Sequence, residues 1–375
     1  MERMEAALDS KLLKRALGFL ERVVPAKPAN LLYTHIGLRE GEGGSLLLYA
    51  SDGEMDLEVR LKEVEIRDGE GWEKGILLPT KPLFALAGGL PEGEVRLRKN
   101  GERMGISIRQ FKAEVAVASP EGFPALILPP GPGFSQKAEV EKRAFLSLME
   151  QVRYALGRED YRGIFKGLLL EFAPEMIRAV ASDGYRLALA KLPLPPGVQG
   201  KSLIPQEGVE RLLRILGGAE GEGLEVHLGD KAVGFAIEGE GLGIGLSQRL
   251  MEGEYPDYTR IVPTTWTARA KVAARALEGA LKRIEVLAES QNKRVDLSLR
   301  EGEIKLGASG EYGRGEETLA ASVEGTLDLS VNVRYLLEAL PAGEEVFLEF
   351  SGKEAPLLVR NPEGNYRAIF TPLRT

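Results

Sequence analysis

The chain has 375 residues, enough for two or three domains rather than one core, and its 43% hydrophobic and 28% charged residues are those of a folded globular protein. It has no cysteine, which excludes disulfides, thiolate metal sites and cysteine nucleophiles, and no apolar run approaches the roughly 18 residues of a membrane span. A net charge of −7 argues against tight nucleic-acid binding through phosphate contacts alone.

The first five residues lack the basic flank and apolar stretch of a secretion signal, so a cytoplasmic protein is expected. Seven Gln and six Asn are few for this length, which fits a thermophilic source and a GC-rich genome equally. A helix is predicted from Asp9 to Arg22, with Leu12, Leu13, Ala16, Leu17 and Leu20 on one face and Asp9 or Ser10 as its N-cap. Ser51-Asp52-Gly53 marks a hairpin between apolar strands. Leu77-Leu78-Pro79 is a short strand, Thr80 onward a helix, and Glu94-Val95-Arg96-Leu97 an alternating strand after a Gly turn. Gly122-Phe123-Pro124 closes this unit, and the Pro-Gly stretch 129–133 follows it.

The plan then repeats. A helix is predicted over 140–156, a hairpin at Ser182-Asp183-Gly184, and a strand, helix and strand at 203–205, 205–216 and 224–228. Glu254-Tyr255-Pro256 closes the second unit, and 261–265 separates it from a third. There a helix is predicted over 268–288, a degenerate turn at Ser309-Gly310, and a strand, helix and strand at 330–332, 332–340 and 345–350. Pro79, Pro205 and Asn332 stand 126 and 127 residues apart. The chain is therefore an α+β protein of three tandem, divergent copies of one domain, each with two helices packed on antiparallel sheets.

Chemistry-bearing motifs are scarce. There is no P-loop, and Gly241, Gly243 and Gly245 lack dinucleotide spacing and suit strand glycines. Gly245-Leu246-Ser247-Gln248-Arg249 fails the nucleophile-elbow pattern at its last position. His35 and His227 lie in separate apolar strand patterns with no partner histidine, so structural roles outweigh metal ligation, and no metal is expected. Asp52 and Asp183 are better explained by their turns than by acid–base work. Summed over the predicted helices, charge is +2 for 9–22, +1 for 80–88, +3 for 268–288 and zero for the other three. That leaves about +6 on helices and about −13 elsewhere, either solvated faces or one mildly basic surface meeting phosphates.

Five stretches carry a family resemblance: Leu90-Pro91-Glu92-Gly93, Ala181 to Ala188, Pro205-Gln206-Glu207-Gly208-Val209, Gly253-Glu254-Tyr255-Pro256-Asp257-Tyr258 and Phe370-Thr371-Pro372-Leu373-Arg374. In this order, in a three-repeat chain, they resemble the bacterial DNA polymerase III beta subunit, the sliding clamp, over essentially the whole length. The resemblance implies clamp domains at 1–129, 130–262 and 263–375, and a head-to-tail homodimer of six domains with helices inside and sheets outside. It implies a non-enzymatic processivity factor, without cofactor, that encircles duplex DNA non-specifically. Its partners would be the polymerase III catalytic subunit and clamp loader, with other polymerases, ligase or repair proteins attached through clamp-binding peptides. It implies no membrane and a cytoplasmic, nucleoid-associated location.

By the same resemblance, a groove between the second and third domains takes a short hydrophobic peptide. Its matching positions are Phe165, Ser182, Gly184, Tyr185, Arg186, Leu187, Pro256, Arg260, Ile261, Phe370, Thr371, Pro372, Leu373 and Arg374. Apolar walls with arginines for peptide polar groups make this a sensible pocket, although Leu187 and Ile261 are open to a plain core reading. The dimer interface would pair strand 111–118, around Val115, with the helix end at Val286 and Leu287. DNA contacts would include Lys27, Lys81 and Arg334. Acidic or neutral Gln206, Glu207 and Glu159 stand where the family is commonly basic or neutral, so the second repeat is expected to contact DNA more weakly. The competing readings are a repeat interaction scaffold without DNA, a carboxylate-based hydrolase, and a clamp paralogue serving drug resistance.

Overall fold

A computed structural model describes residues 4–67, 74–158, 160–195 and 197–374; Glu159 lies outside them. Its six helices are α1 (Ser10–Leu20), α2 (Thr80–Gly89), α3 (Lys142–Glu150), α4 (Gln206–Gly218), α5 (Ala274–Glu285) and α6 (Val333–Ala339) among the described residues. Asp9 is the N-cap of α1, its Oδ1 accepting from the amides of Lys11 at 2.7 Å and Leu12 at 3.3 Å. Asn332 does the same for α6, accepting from Arg334 and Tyr335 at 2.9 and 3.3 Å. Leu12, Leu13, Ala16, Leu17 and Leu20 are all buried, as the three-to-four spacing predicts.

The predicted helix over 268–288 is half wrong. Ala268–Ala273 is a strand in which Ala268, Ala270 and Val272 are buried and Arg269 and Lys271 half-exposed, a period of two rather than 3.6. Gln136–Glu141 is likewise a strand, and α3 ends at Glu150 before a 3-10 turn over Arg153–Ala155. By their true bounds the helices still carry +6, redistributed: α1 holds +3 from Lys11, Lys14 and Arg15, and α5 holds +1.

The threefold repeat appears in the strand pairing. The strand before the first helix of each copy pairs antiparallel with the strand after the second helix: Asp9 with Glu94, Glu141 with Gly223, and Ala273 with Glu345. The chain nevertheless folds into two compact units, residues 1–146 with 207–250, and 147–206 with 251–375. The division runs through the second copy because each unit contains a sheet shared between copies. In the first unit, strand Leu242–Arg249 of the second copy pairs with Met55–Leu61 of the first, making an eight-stranded sheet. In the second unit, Arg186–Pro193 of the second copy pairs with Tyr366–Phe370 of the third, within a nine-stranded sheet. A five-stranded sheet ending at Phe111–Ala116 and a four-stranded sheet ending at Gly313–Ala320 complete the two units.

His227 is buried, with Nε2 3.0 Å from a Glu225 carboxylate oxygen, and His35 Nδ1 lies 3.1 Å from the Thr34 hydroxyl. No group of three or more metal-ligating side chains occurs among the described residues. No helix is long and apolar enough to cross a membrane among them.

Candidate functional site

The shared sheet of the second unit positions the predicted groove. Asp183 Oδ1 accepts from the Tyr185 and Arg186 amides at 2.9 and 3.0 Å, and the Ser182 hydroxyl accepts from the Gly184 amide at 3.1 Å and donates to the Arg186 carbonyl at 2.7 Å. Gly184 turns at φ 88°, a conformation that a Cβ disfavours. This tight turn leaves Tyr185 63% exposed and aims the next two residues to opposite faces.

Arg186 goes to the helix-covered face. Its Nε donates to Asp183 at 3.0 Å, its Nη1 pairs with Glu338 on α6, and its Nη2 donates to the Tyr154 carbonyl at 3.0 Å. The guanidinium also lies over Tyr335 at 4.7 Å and Tyr154 at 5.3 Å, leaving its side chain 13% exposed. Burial alone would lower the Arg186 pKa, but the Glu338 and Asp183 carboxylates raise it. Arg186 is thus fully engaged within the chain, an organiser of the turn rather than a free donor for a peptide. Behind it, the Tyr154 hydroxyl lies 2.9 Å from that of Tyr366, which donates to the Ala339 carbonyl. Burial, chiefly, raises the pKa of both tyrosines.

Leu187 goes to the other face. It pairs across the sheet with Ile369, and both belong to an apolar cluster with Leu169, Val180, Leu189 and Leu358. Ile164, Met251, Tyr255 and Val262 pack against this cluster from the flanking loops. The Phe165 ring meets Tyr255 edge-on at 5.8 Å, and Tyr255, whose pKa burial raises first and the Asp183 charge next, ties this loop to the turn. Pro256, Arg260 and Ile261 follow Tyr255 and are exposed, Ile261 at 52%. Arg260 Nε donates to Asp257 at 3.0 Å, with its side chain largely in solvent.

The C-terminal positions divide. Phe370 is buried, edge-on to Tyr335 at 6.1 Å, and so belongs to the core under the turn. Thr371 and Arg374 are exposed and Pro372 is buried. Leu373 bridges to Ser330, its amide donating at 2.8 Å, and lines a separate cavity of about 470 Å³ beside the four-stranded sheet. Tyr154, Tyr335, Glu338 and Ile369 join these positions without having been expected from the sequence. Ile369 could have been found by alternation, two residues before Thr371; the others follow only from the tertiary fold.

The first copy's matching turn has polar rather than apolar support. Asp52 makes the same amide bonds at 2.9 and 2.7 Å, but Asp56 stands where the second copy has Leu187. Asp56 is buried and accepts from the Ile127 amide at 2.8 Å and the Ser51 hydroxyl at 2.6 Å. A polar knot built from its own chain fills that position.

The other predicted residues lie elsewhere. Lys27 and Lys81 are exposed in the first unit; Arg334 begins α6 in the second, with Nε 3.2 Å from Glu285. Val115 is buried in its own sheet opposite Met104, while Val286 is 73% exposed and Leu287 partly exposed.

Three like copies sharing sheets, with an apolar cluster beneath the turn at one junction and a polar knot at its equivalent in the other, define a tandem-repeat α+β protein. The central domain of the DNA polymerase III beta subunit matches residues 139–257, and its C-terminal domain matches 259–372, together more than half of the chain. The beta sliding clamp of Caulobacter vibrioides is 26% identical over 99% of this chain and 100% of its own, and that of Escherichia coli K12 is 27% identical over 80% of each. Among solved structures, the Bacillus subtilis DNA polymerase sliding clamp superposes with a TM-score of 0.88 at 22% identity, covering both chains fully. A Pseudomonas aeruginosa sliding clamp bound to griselimycin superposes at 0.86 and 22% identity, over 99% of this chain and 100% of its own. The chain belongs to the bacterial DNA polymerase III beta subunit family, the beta sliding clamps, which are non-catalytic processivity factors of DNA replication.

Proposed function

We propose that two copies of this chain, each with clamp domains 1–129, 130–262 and 263–375, close head to tail around duplex DNA and tether replication and repair proteins to it. The observation that carries the reading is the threefold-repeated domain with an open strand edge in each compact unit, 111–116 in one and 313–320 in the other. Unpaired strand edges invite pairing with another chain, and a heterologous pairing that closes makes a ring. Phe111, Val286 and Tyr312, exposed at 37%, 73% and 83%, supply apolar contact there; buried Val115 supports the strand from behind. Topological retention needs little affinity, which suits an acidic protein whose helices are mildly basic, with Lys27, Lys81 and Arg334 meeting phosphates. The polymerase III catalytic subunit and the clamp loader would dock through the groove at 182–187, other polymerases, ligase and repair proteins likewise, in the cytoplasm at the nucleoid.

Retention on nicked circular DNA after loading, in high salt, tests this. Retention on the circle with release on linearisation is the expected result. Equal retention on both forms would replace encirclement by ordinary binding.

A further inference from the structure

The nine-stranded sheet has a helix-covered face bearing Arg186, Tyr366 and Phe370, and by alternation an opposite face bearing Leu187, Leu189, Lys191, Arg367 and Ile369. A cavity of about 710 Å³ lies on that opposite face, and its walls include Leu189, Leu358, Tyr258 and Val262 of the apolar cluster that supports Leu187. The cavity and Leu187 therefore share one apolar cluster on the same face of the sheet. Trp266, 38% exposed, bounds it as well.

The polar lining is cationic in an unusual way. Arg178 stands directly across from Lys191, and Arg360 directly across from Arg367. Like charges directly opposite on neighbouring strands are destabilising, so two such pairs side by side need a compensating anion. The outer cations have one. Glu171 holds Arg178 at 3.1 Å and Lys201 at 3.6 Å, and Glu349 holds Arg360 at 2.8 Å. The central pair does not: among the described residues neither Lys191 nor Arg367 has a carboxylate partner, and Arg367 Nε is buried without a hydrogen-bond acceptor. A buried donor left unpaired is costly. Burial, then the charges of Arg367 and Arg178, hold the Lys191 pKa below the usual lysine range, as expected of an uncompensated cation.

We propose that this cavity receives the carboxylates of an acidic stretch flanking the apolar peptide that docks at the 182–187 groove. The proposal rests on the peptide-docking reading and names the partner chemistry. Glu171 and Glu349 confine the free positive charge to two adjacent strands, roughly 5 Å apart, which matches one or two carboxylates. A nucleic-acid backbone would run its phosphates past both glutamates. The apolar walls and the shared cluster favour a peptide continuing along the sheet from Leu187 and Ile369.

Fluorescence anisotropy with labelled peptides sharing an apolar Leu-Phe core decides it. One carries two glutamates and the other two glutamines, placed in turn at each end. On the wild-type chain the acidic peptide should bind about tenfold tighter when the pair is at one end, and high salt should erase the gain. With Lys191→Gln and Arg367→Gln together, the gain should vanish while the glutamine peptide binds as before. The variant's melting temperature should be no lower, since a repulsion has been removed. Equal affinities on the wild type, or a gain that survives in the variant, would overturn the proposal. So would displacement of the acidic peptide by an oligothymidylate, which would assign the cavity to nucleic acid. Failure of both peptides to bind the wild type would instead sink the docking reading beneath it.

Discussion

Replacing Arg186 with methionine tests whether this arginine organises the groove from behind. Methionine keeps most of the apolar stem and removes the guanidinium that joins Asp183, Glu338 and the Tyr154 carbonyl. Breaking a fully buried ion pair costs about 3–5 kcal/mol, because the abandoned charge has nowhere to go. Here Asp183 is 19% exposed but Glu338 is 46% exposed, so water recovers much of the second loss. The orphaned carbonyl and the lost stacking on Tyr335 add back about 1–2 kcal/mol. The net expectation is about 2–4 kcal/mol, felt locally where strand 186–193 joins 366–370.

Native-state hydrogen exchange reads that local cost better than global melting in a chain of two compact units. Amides of 186–190 and 366–370 should exchange about 30- to 700-fold faster in Arg186→Met. Arg186→Lys should recover little of this, since one ammonium cannot span three acceptors in a fork. Exchange within about threefold of the wild type, or full recovery by lysine, would refute the organising role.

Two further outcomes are expected. Substituting Lys27, Lys81 and Arg334 together by glutamine should slow loading and flatten the salt dependence of DNA association by up to about 3 in log–log slope, and unchanged association at low salt would remove these residues from the DNA surface. Burial opposes ionisation of Glu171, but hydrogen bonds from Tyr258 and Arg178 and the charges of Arg178 and Lys201 outweigh it and hold its pKa below the ordinary range. A depressed folded pKa gives stability that is present above the unfolded value and lost as pH falls through the folded one. The melting difference between wild type and Glu171→Gln should therefore be constant above about pH 5 and shrink in acid; a difference that grows in acid would reverse the assignment.

Local rules were enough to find the repeats. The Asp9 cap, the Asp-Gly turns and the apolar periodicity each act within a few residues, and the structure reproduces them. The error at 268–273 has a local cause as well: a run of Ala, Arg, Lys and one Val carries strong helix propensity, and pairing with 345–350 overrides it. The site was legible where it lies in a continuous stretch, as at 182–187. Nothing local encodes that 186–190 pairs with 366–370, a whole repeat later, so the companions of Arg186 on α6 and the placement of Ile369 were invisible. The resemblance also placed Phe370 and Leu373 together in the groove, whereas strand alternation and the Ser330 bridge send them to different surroundings.

The candidate groove positions lie on the seam between two copies, so packing and docking fall on neighbouring residues that the structure separates. Leu187 is 2% exposed and packed in the cluster that joins strands 167–173, 176–182, 186–193 and 366–370, whereas Ile261 is 52% exposed on the flanking loop. Leu187→Ala should therefore cost about 2–5 kcal/mol of stability, as core truncations do. Any loss of peptide binding there is confounded with a disturbed seam. Ile261→Ala should change stability by no more than about 0.5 kcal/mol, since so exposed a side chain has little packing to lose. If the exposed isoleucine is a wall of the docking site, the same change should weaken an apolar peptide about fivefold or more. Melting and peptide anisotropy on the two variants decide between the roles. A destabilised Ile261→Ala would return that residue to the core, and a stable variant with undiminished peptide affinity would remove the 258–261 loop from the groove.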